Sequence, residues 1–192
     1  MAFAPTKIHG GGARIFSGVT AGTTGTPPTY ITHTDGVPGS GTELGLTQGD
    51  TNFSYQATKK EIEAEQSLAA VDVMTTAEMA TIETTCLEHT YFALQRAFDN
   101  IGSETVAGGY GFYFGNGTGI LAPRTECVMI TARQRNAPTK FVIGVIYKAL
   151  SPEGFKLGFK KGGESVYKIV FKGLADLTRN AGDQLGYFRF EL

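Results

Sequence analysis

The chain has 192 residues, with 17 Lys+Arg against 18 Asp+Glu and a formal net charge of -1. That balance excludes the basic footprint needed to wrap a nucleic-acid backbone. With 18% charged residues, 41% hydrophobic residues and 26 Gly, it suits one domain of short strands and many turns rather than a helical bundle.

In chain order, ARIF (13–16) reads as a short strand. Residues 17–50 are rich in Gly, Thr, Pro and Ser and poor in apolar residues. A segment this long is out of scale for a connection inside a compact domain. It is expected to be a long extended arm or loop, disordered or ordered by something outside the fold. From 51 the pattern becomes strand-like. Phe53, Tyr55, Ala57, Lys59, Glu61, Glu63 and Glu65 alternate onto one face of a strand over 51–66. A second strand follows in AEMATIETTCLE, with Ala80, Ile82, Thr84 and Cys86 on one face. Leu87, Tyr91, Leu94 and Phe98 then recur at helical spacing and predict one helix over about 87–99, with that stripe as its packing face.

The second half reads as strands at 109–115, 125–134, 139–150, 154–160, 164–174 and 186–192, separated by Gly, Pro or Asn. The run 141–147 is apolar on both faces and marks the core strand. It is far shorter than the about 20 residues of a membrane helix, so no span is expected. The opening MAFAPTKIHGGG lacks the apolar stretch of a secretory signal, so none is expected there. The fold expectation is mainly β: an antiparallel β-sandwich or barrel with one flanking α-helix and the 17–50 arm.

Motifs for chemistry are sparse. HGGG at 9–12 resembles an oxyanion loop, but no Ser has Gly at both minus two and plus two. The Gly-rich stretch 108–119 contains neither GxGxxG nor GKS/GKT, and reads as a hairpin tip. His9, His33 and His89 are scattered without metal-ligand spacing. Cys86 and Cys127 sit in apolar alternating segments and read as buried thiols. The triplets at Asn52 and Asn116 read as chance matches to the glycosylation signal. No catalytic residue, metal or cofactor is expected. Glu61, Glu63 and Glu65 would form a carboxylate row about 7 Å apart, with Glu83 joining from the next strand. Three readings stay open: a solvated strand face, an acidic surface facing a polyanion that must not stick, or paired carboxylates for acid–base work.

Three stretches carry a family likeness. TNFSYQATKKEIEAEQSLAAVDVMTTAEMATIETTCLEHTYFALQRAF contains a strand, an acidic stretch and a Thr-rich strand feeding a helix, with Leu87, Glu88, Thr90, Leu94 and Ala97 in the junction. TKFVIGVIYKAL is a central strand, and ESVYKIVFKGLADLTRNAGDQLGYFRF closes the chain with Phe171, Leu174, Asp176, Gly182 and Leu185. In this order, over about 51–190, they resemble the bacteriophage tail tube (major tail) protein family. The resemblance implies a β-sandwich with one helix, assembled into hexameric rings whose strands join in a barrel. Stacked rings would form a tube that conducts DNA from the virion and is built around a tape-measure protein. Terminator and tip or baseplate proteins would meet its ends, and loops or arms would join the rings. The Glu row would supply roughly eighteen carboxylates per ring if all face the lumen. The alternatives are another ring-forming tail or injection component, then a monomeric binding sandwich. The absence of Trp argues against the last.

Overall fold

The computed structural model describes residues 12–25, 29–62, 72–88, 90–97, 102–113, 125–134, 137–154 and 165–191. Within them lie β1 (Arg14–Ser17), β2 (His33–Thr34), β3 (Val37–Pro38), β4 (Thr42–Glu43), β5 (Asn52–Ile62), β6 (Asp72–Cys86) and α1 (Tyr91–Ala97). They continue with β7 (Gly102–Val106), β8 (Gly109–Tyr113), β9 (Glu126–Gln134), β10 (Ala137–Leu150), β11 (Tyr167–Gly173) and β12 (Gly186–Phe190). The chain is mainly β, its strand pairs are antiparallel, and one helix flanks the sheet. The expected strand at 154–160 falls almost wholly outside the described residues, and β7 was not anticipated.

The main sheet runs β4-β1-β9-β10-β11-β6-β5, with β12 also on β10. β10 is the corner. Its 142–146 stretch pairs with β12, and Ala149 and Leu150 pair with β11. A register break against β9 falls between Ile146 and Ala149, where the strand bends from one layer into the other. One layer is therefore β4-β1-β9-β10-β12 and the other is β11-β6-β5.

Between the layers lies a core of Ile15, Val128, Ile130, Ile146, Ala80, Ile82, Tyr167, Ile169 and Phe171. The alternation read from β6 holds: Ala80, Ile82, Thr84 and Cys86 are buried and their neighbours are not. One end of the sandwich is sealed by residues 44–48. Leu44 N donates to Ile15 O, Gln48 N to Thr85 O, and Leu87 N to Leu46 O. The chain thus steps from β1 across to β6 and closes the gap between the layers.

The helix differs from its expected form. Its described part starts at Tyr91, and Thr90 caps it by accepting from Ala93 N at 3.2 Å. Leu87 lies before the helix, and Phe98 falls outside the described residues. The buried face is Ala93 and Ala97 rather than the Leu87, Tyr91, Leu94 stripe. Small side chains let α1 lie close to the core. Leu94 packs at the core margin, and Tyr91 turns aside to stack on Tyr110 at 4.1 Å.

The second difference concerns 17–50. Its described residues do not extend away from the domain. Val19 and Ile31 join Phe16, Cys127, Met129, Phe141, Ile143, Val145 and Tyr147 in a second buried cluster on the outer face of β9 and β10, and Leu44 joins the inner core. An apolar outer face on both central strands gives this polar segment something to cover. Its own composition does not reveal that.

Candidate assembly surface

The open end of the sandwich is where its two layers cease to match. Gly144 sits on the inner side of β10, directly under Phe53. A Cβ there would lie 2.8 Å from the Phe53 ring and 2.9 Å from Ile130, so only Gly lets the layers approach this closely. Phe53 in turn meets Phe188 with ring centroids 5.3 Å apart, and Phe188 meets Phe190 at 5.0 Å. Beyond this contact the layers splay. An open groove of about 1050 Å³ runs between Tyr55, Met79 and Ala80 on one wall and Leu174, Leu185 and Phe188 on the other.

Each wall carries uncovered apolar surface. From Thr58 to Ile62, β5 overhangs with its partner β6; Tyr55 and Val73 are exposed on the groove side, and Ile62 and Met74 on the opposite face of the same overhang. On the other wall Phe188 and Phe190 are 48% and 55% exposed, high values for Phe on a strand. β5 pairs with β6, and β12 with β10; neither has a described strand on its other edge. An antiparallel edge flanked by exposed aromatics is a template for another strand.

The expected acidic row is only partly on view. Phe53 pairs with Ile82 and Glu61 with Val73, and the register break between Thr58 and Lys59 adds its extra residue to β6. The alternation of β5 is therefore unbroken, and Glu61 shares the groove side with Tyr55 and Lys59. Glu61 is exposed, while Glu63 and Glu65 lie outside the described residues. Glu83 does not join them. It is opposite Asn52, nine residues before Glu61 on β5, which is about 30 Å along the strand. It also projects from the other side of the sheet, where it binds Lys168 Nζ at 2.5 Å. Strand order alone puts Glu83 next to the acidic row; the register, which the sequence does not supply, separates them.

Across the groove-side face, Tyr55 OH donates to Glu78 Oε1 at 2.8 Å, and that bond raises the phenol pKa. Both cysteines are free and buried. Burial pushes Cys86 up to about 11 and Cys127 up to about 12, so neither is a ready nucleophile. His33 is held between Glu191 and the Gly36 amide. His9 and His89 lie outside the described residues. Among the described residues, no three His, Cys, Asp or Glu converge on a metal-sized site, and no helix is long and apolar enough to cross a membrane.

The aromatic wall is not evident from the sequence alone. In GYFRFEL, alternation puts two Phe on one strand face, while the sequence offers that face no dedicated cover. That imbalance was the available signal. The chain matches no protein-family model and no curated protein.

Proposed function

We propose that this chain is the structural subunit of a phage tail tube, with hexameric rings that stack into a hollow conduit for DNA. The observation that carries the reading is the unfinished sandwich. Among the described residues, one molecule bears two splayed apolar walls that stay partly exposed and two strand edges, on β5 and β12, with no further strand beside them. A second copy offers the same elements, so head-to-tail association repeats until the ring closes. Closure removes the edges altogether.

In this reading Glu61, Glu63 and Glu65 line the lumen. A carboxylate surface repels phosphates and lets DNA pass without sticking. Glu83 has no part in that lining, because Lys168 neutralises it. The tape-measure protein occupies the lumen during assembly, and terminator and tip proteins cap the stack. The subunit needs no catalytic group, metal or cofactor for this role. The alternative of another ring-forming tail or injection component shares the same observation and differs in whether rings stack unaided. The groove also admits a second reading, a monomeric binding sandwich with Tyr55 and Phe188 as its aromatic contacts.

Negative-stain electron microscopy over a concentration series tests the proposal. Hollow tubes or stacked rings are expected, and isolated rings would favour the other ring-forming component. Small featureless particles at every concentration, with a monomeric sedimentation coefficient, would overturn it in favour of the binding module. A ring map with Glu61 on the outer wall would remove the lumen assignment while leaving the ring.

A further inference from the structure

Residues 18–25 and 29–41 cover the outer face of β9 and β10, but they are not stitched to it as a strand would be. Among the described residues, one backbone-to-backbone hydrogen bond joins this segment to the sheet, from Val19 N to Cys127 O at 3.2 Å. The other fastenings each involve a side chain, from the body or from the segment itself. The largest is a buried clasp. Arg179 Nη1 donates to Gly22 O at 2.7 Å and Nη2 to Thr23 O at 3.3 Å. The same guanidinium donates to Asp183 O at 3.0 Å and to Asp183 Oδ2 at 2.8 Å, and it lies 3.6 Å above the Tyr147 ring. Tyr147 OH donates to Asp183 Oδ1 at 2.7 Å. Asn180 N reaches Thr24 Oγ1 at 2.9 Å. Further along, Ile31 N donates to Tyr187 OH at 2.9 Å, His33 Nε2 meets Glu191 Oε1 at 3.0 Å, and Arg133 meets Asp35 at 2.8 Å.

The two ends of the segment are neighbours. Ser17 on β1 pairs with Thr42 on β4, so the ends sit about 5 Å apart, one strand spacing. Gly18 and Gly41 stand at these ends with φ of 71° and 90°, a conformation suited to a hinge.

We infer that the described residues of this segment, 18–25 and 29–41, form a strap that opens as a unit while the sandwich stays folded, and that the Arg179–Asp183 clasp is its lock. Opening breaks side-chain fastenings and one backbone bond, and it leaves every sheet ladder in place. It uncovers Met129, Ile143 and Val145, a second apolar face that the closed strap withholds from association. The inference stands apart from the tube reading, because it concerns the single chain.

Hydrogen exchange read by mass spectrometry on the full-length protein tests it. In the wild type, peptides from 18–25 and 29–34 should exchange well before those of β9 and β10. Arg179→Lys, which cannot span Gly22, Thr23 and Asp183 together, should speed strap exchange by roughly tenfold or more and leave β9, β10 and β11 unchanged. Parallel loss of protection in strap and sheet would overturn the inference, as would an unmoved strap. Thr24→Ala removes one fastening from the strap side alone and guards against a misfolded Arg179 variant. It should shift only the strap, by a smaller factor, and a shift in the sheet as well would equally refute the lock.

Discussion

Ile146 faces into the sandwich, and Ile143 and Val145 face out, yet all three are fully buried. Their covers are built differently. Inside, Ile146 meets Ile82, Ile130 and Phe171, residues of strands tied to β10 through continuous hydrogen-bonded ladders. Outside, Ile143 and Val145 lie under Val19 and Ile31, carried by a strap that side chains hold in place. Equal burial therefore need not mean equal stability. A cover that shares the ladders unfolds with the protein, whereas one fastened by side chains can open first.

The largest expected effect is on the inner face. Ile82→Ala should cost about 2–5 kcal/mol and shift the whole denaturant transition, since its neighbours cannot collapse into the gap. Ile31→Ala removes a similar side chain on the outer face. Its effect on the global midpoint should be less than half as large, because the loss is limited by the opening of the strap. Equal shifts for the two variants would break the comparison.

Alkaline pH acts next. Burial raises the phenol pKa of Tyr147 above its ordinary 10.0, and that of Tyr187 as well. The folded state then keeps protons that the unfolded chain releases. The associated stability is complete below pH 10 and is lost as pH rises through the folded values. Melting temperature should fall from about pH 10 upward. Tyr147→Phe should flatten that fall, and an unchanged slope would show that the outer-face phenols do not control it.

The smallest effect is the finest discriminator. Cys127 lies beneath the strap and Cys86 inside the sandwich. In the closed state burial raises both thiols and keeps them protonated, so neither alkylates readily. Strap opening exposes Cys127 and leaves Cys86 buried. Peptide mapping should find Cys127 modified first, and Cys86 first would argue that the strap stays shut.

Much of the ladder-built half was legible in the sequence. The 141–147 run announces a strand buried on both sides, and the alternation from Ala80 to Cys86 announces the inner face of β6. The strap was not legible. Its Gly, Thr and Pro content shows that it cannot make a core, but not that Arg179, more than 150 residues away, supplies two donors to its carbonyls. Long-range polar fastening leaves no local periodicity. The same limit explains the site. Alternation put Glu61 on the Tyr55 face correctly, whereas placing Glu83 required the register of β5 against β6. For the helix, the apolar stripe drew attention to bulky residues, and Ala93 and Ala97 took the buried face because small side chains pack closest.

The central claim is that the open end of the sandwich is completed by another copy of the chain. Sedimentation velocity over a concentration series tests it most directly, comparing wild type with Phe190→Glu, which puts a charge on the exposed β12 wall. The account predicts growth of the wild type to ring-sized or larger species. The variant should stay small with unchanged circular dichroism and melting. A wild type that remains monomeric throughout, or a variant that assembles just as well, would contradict it.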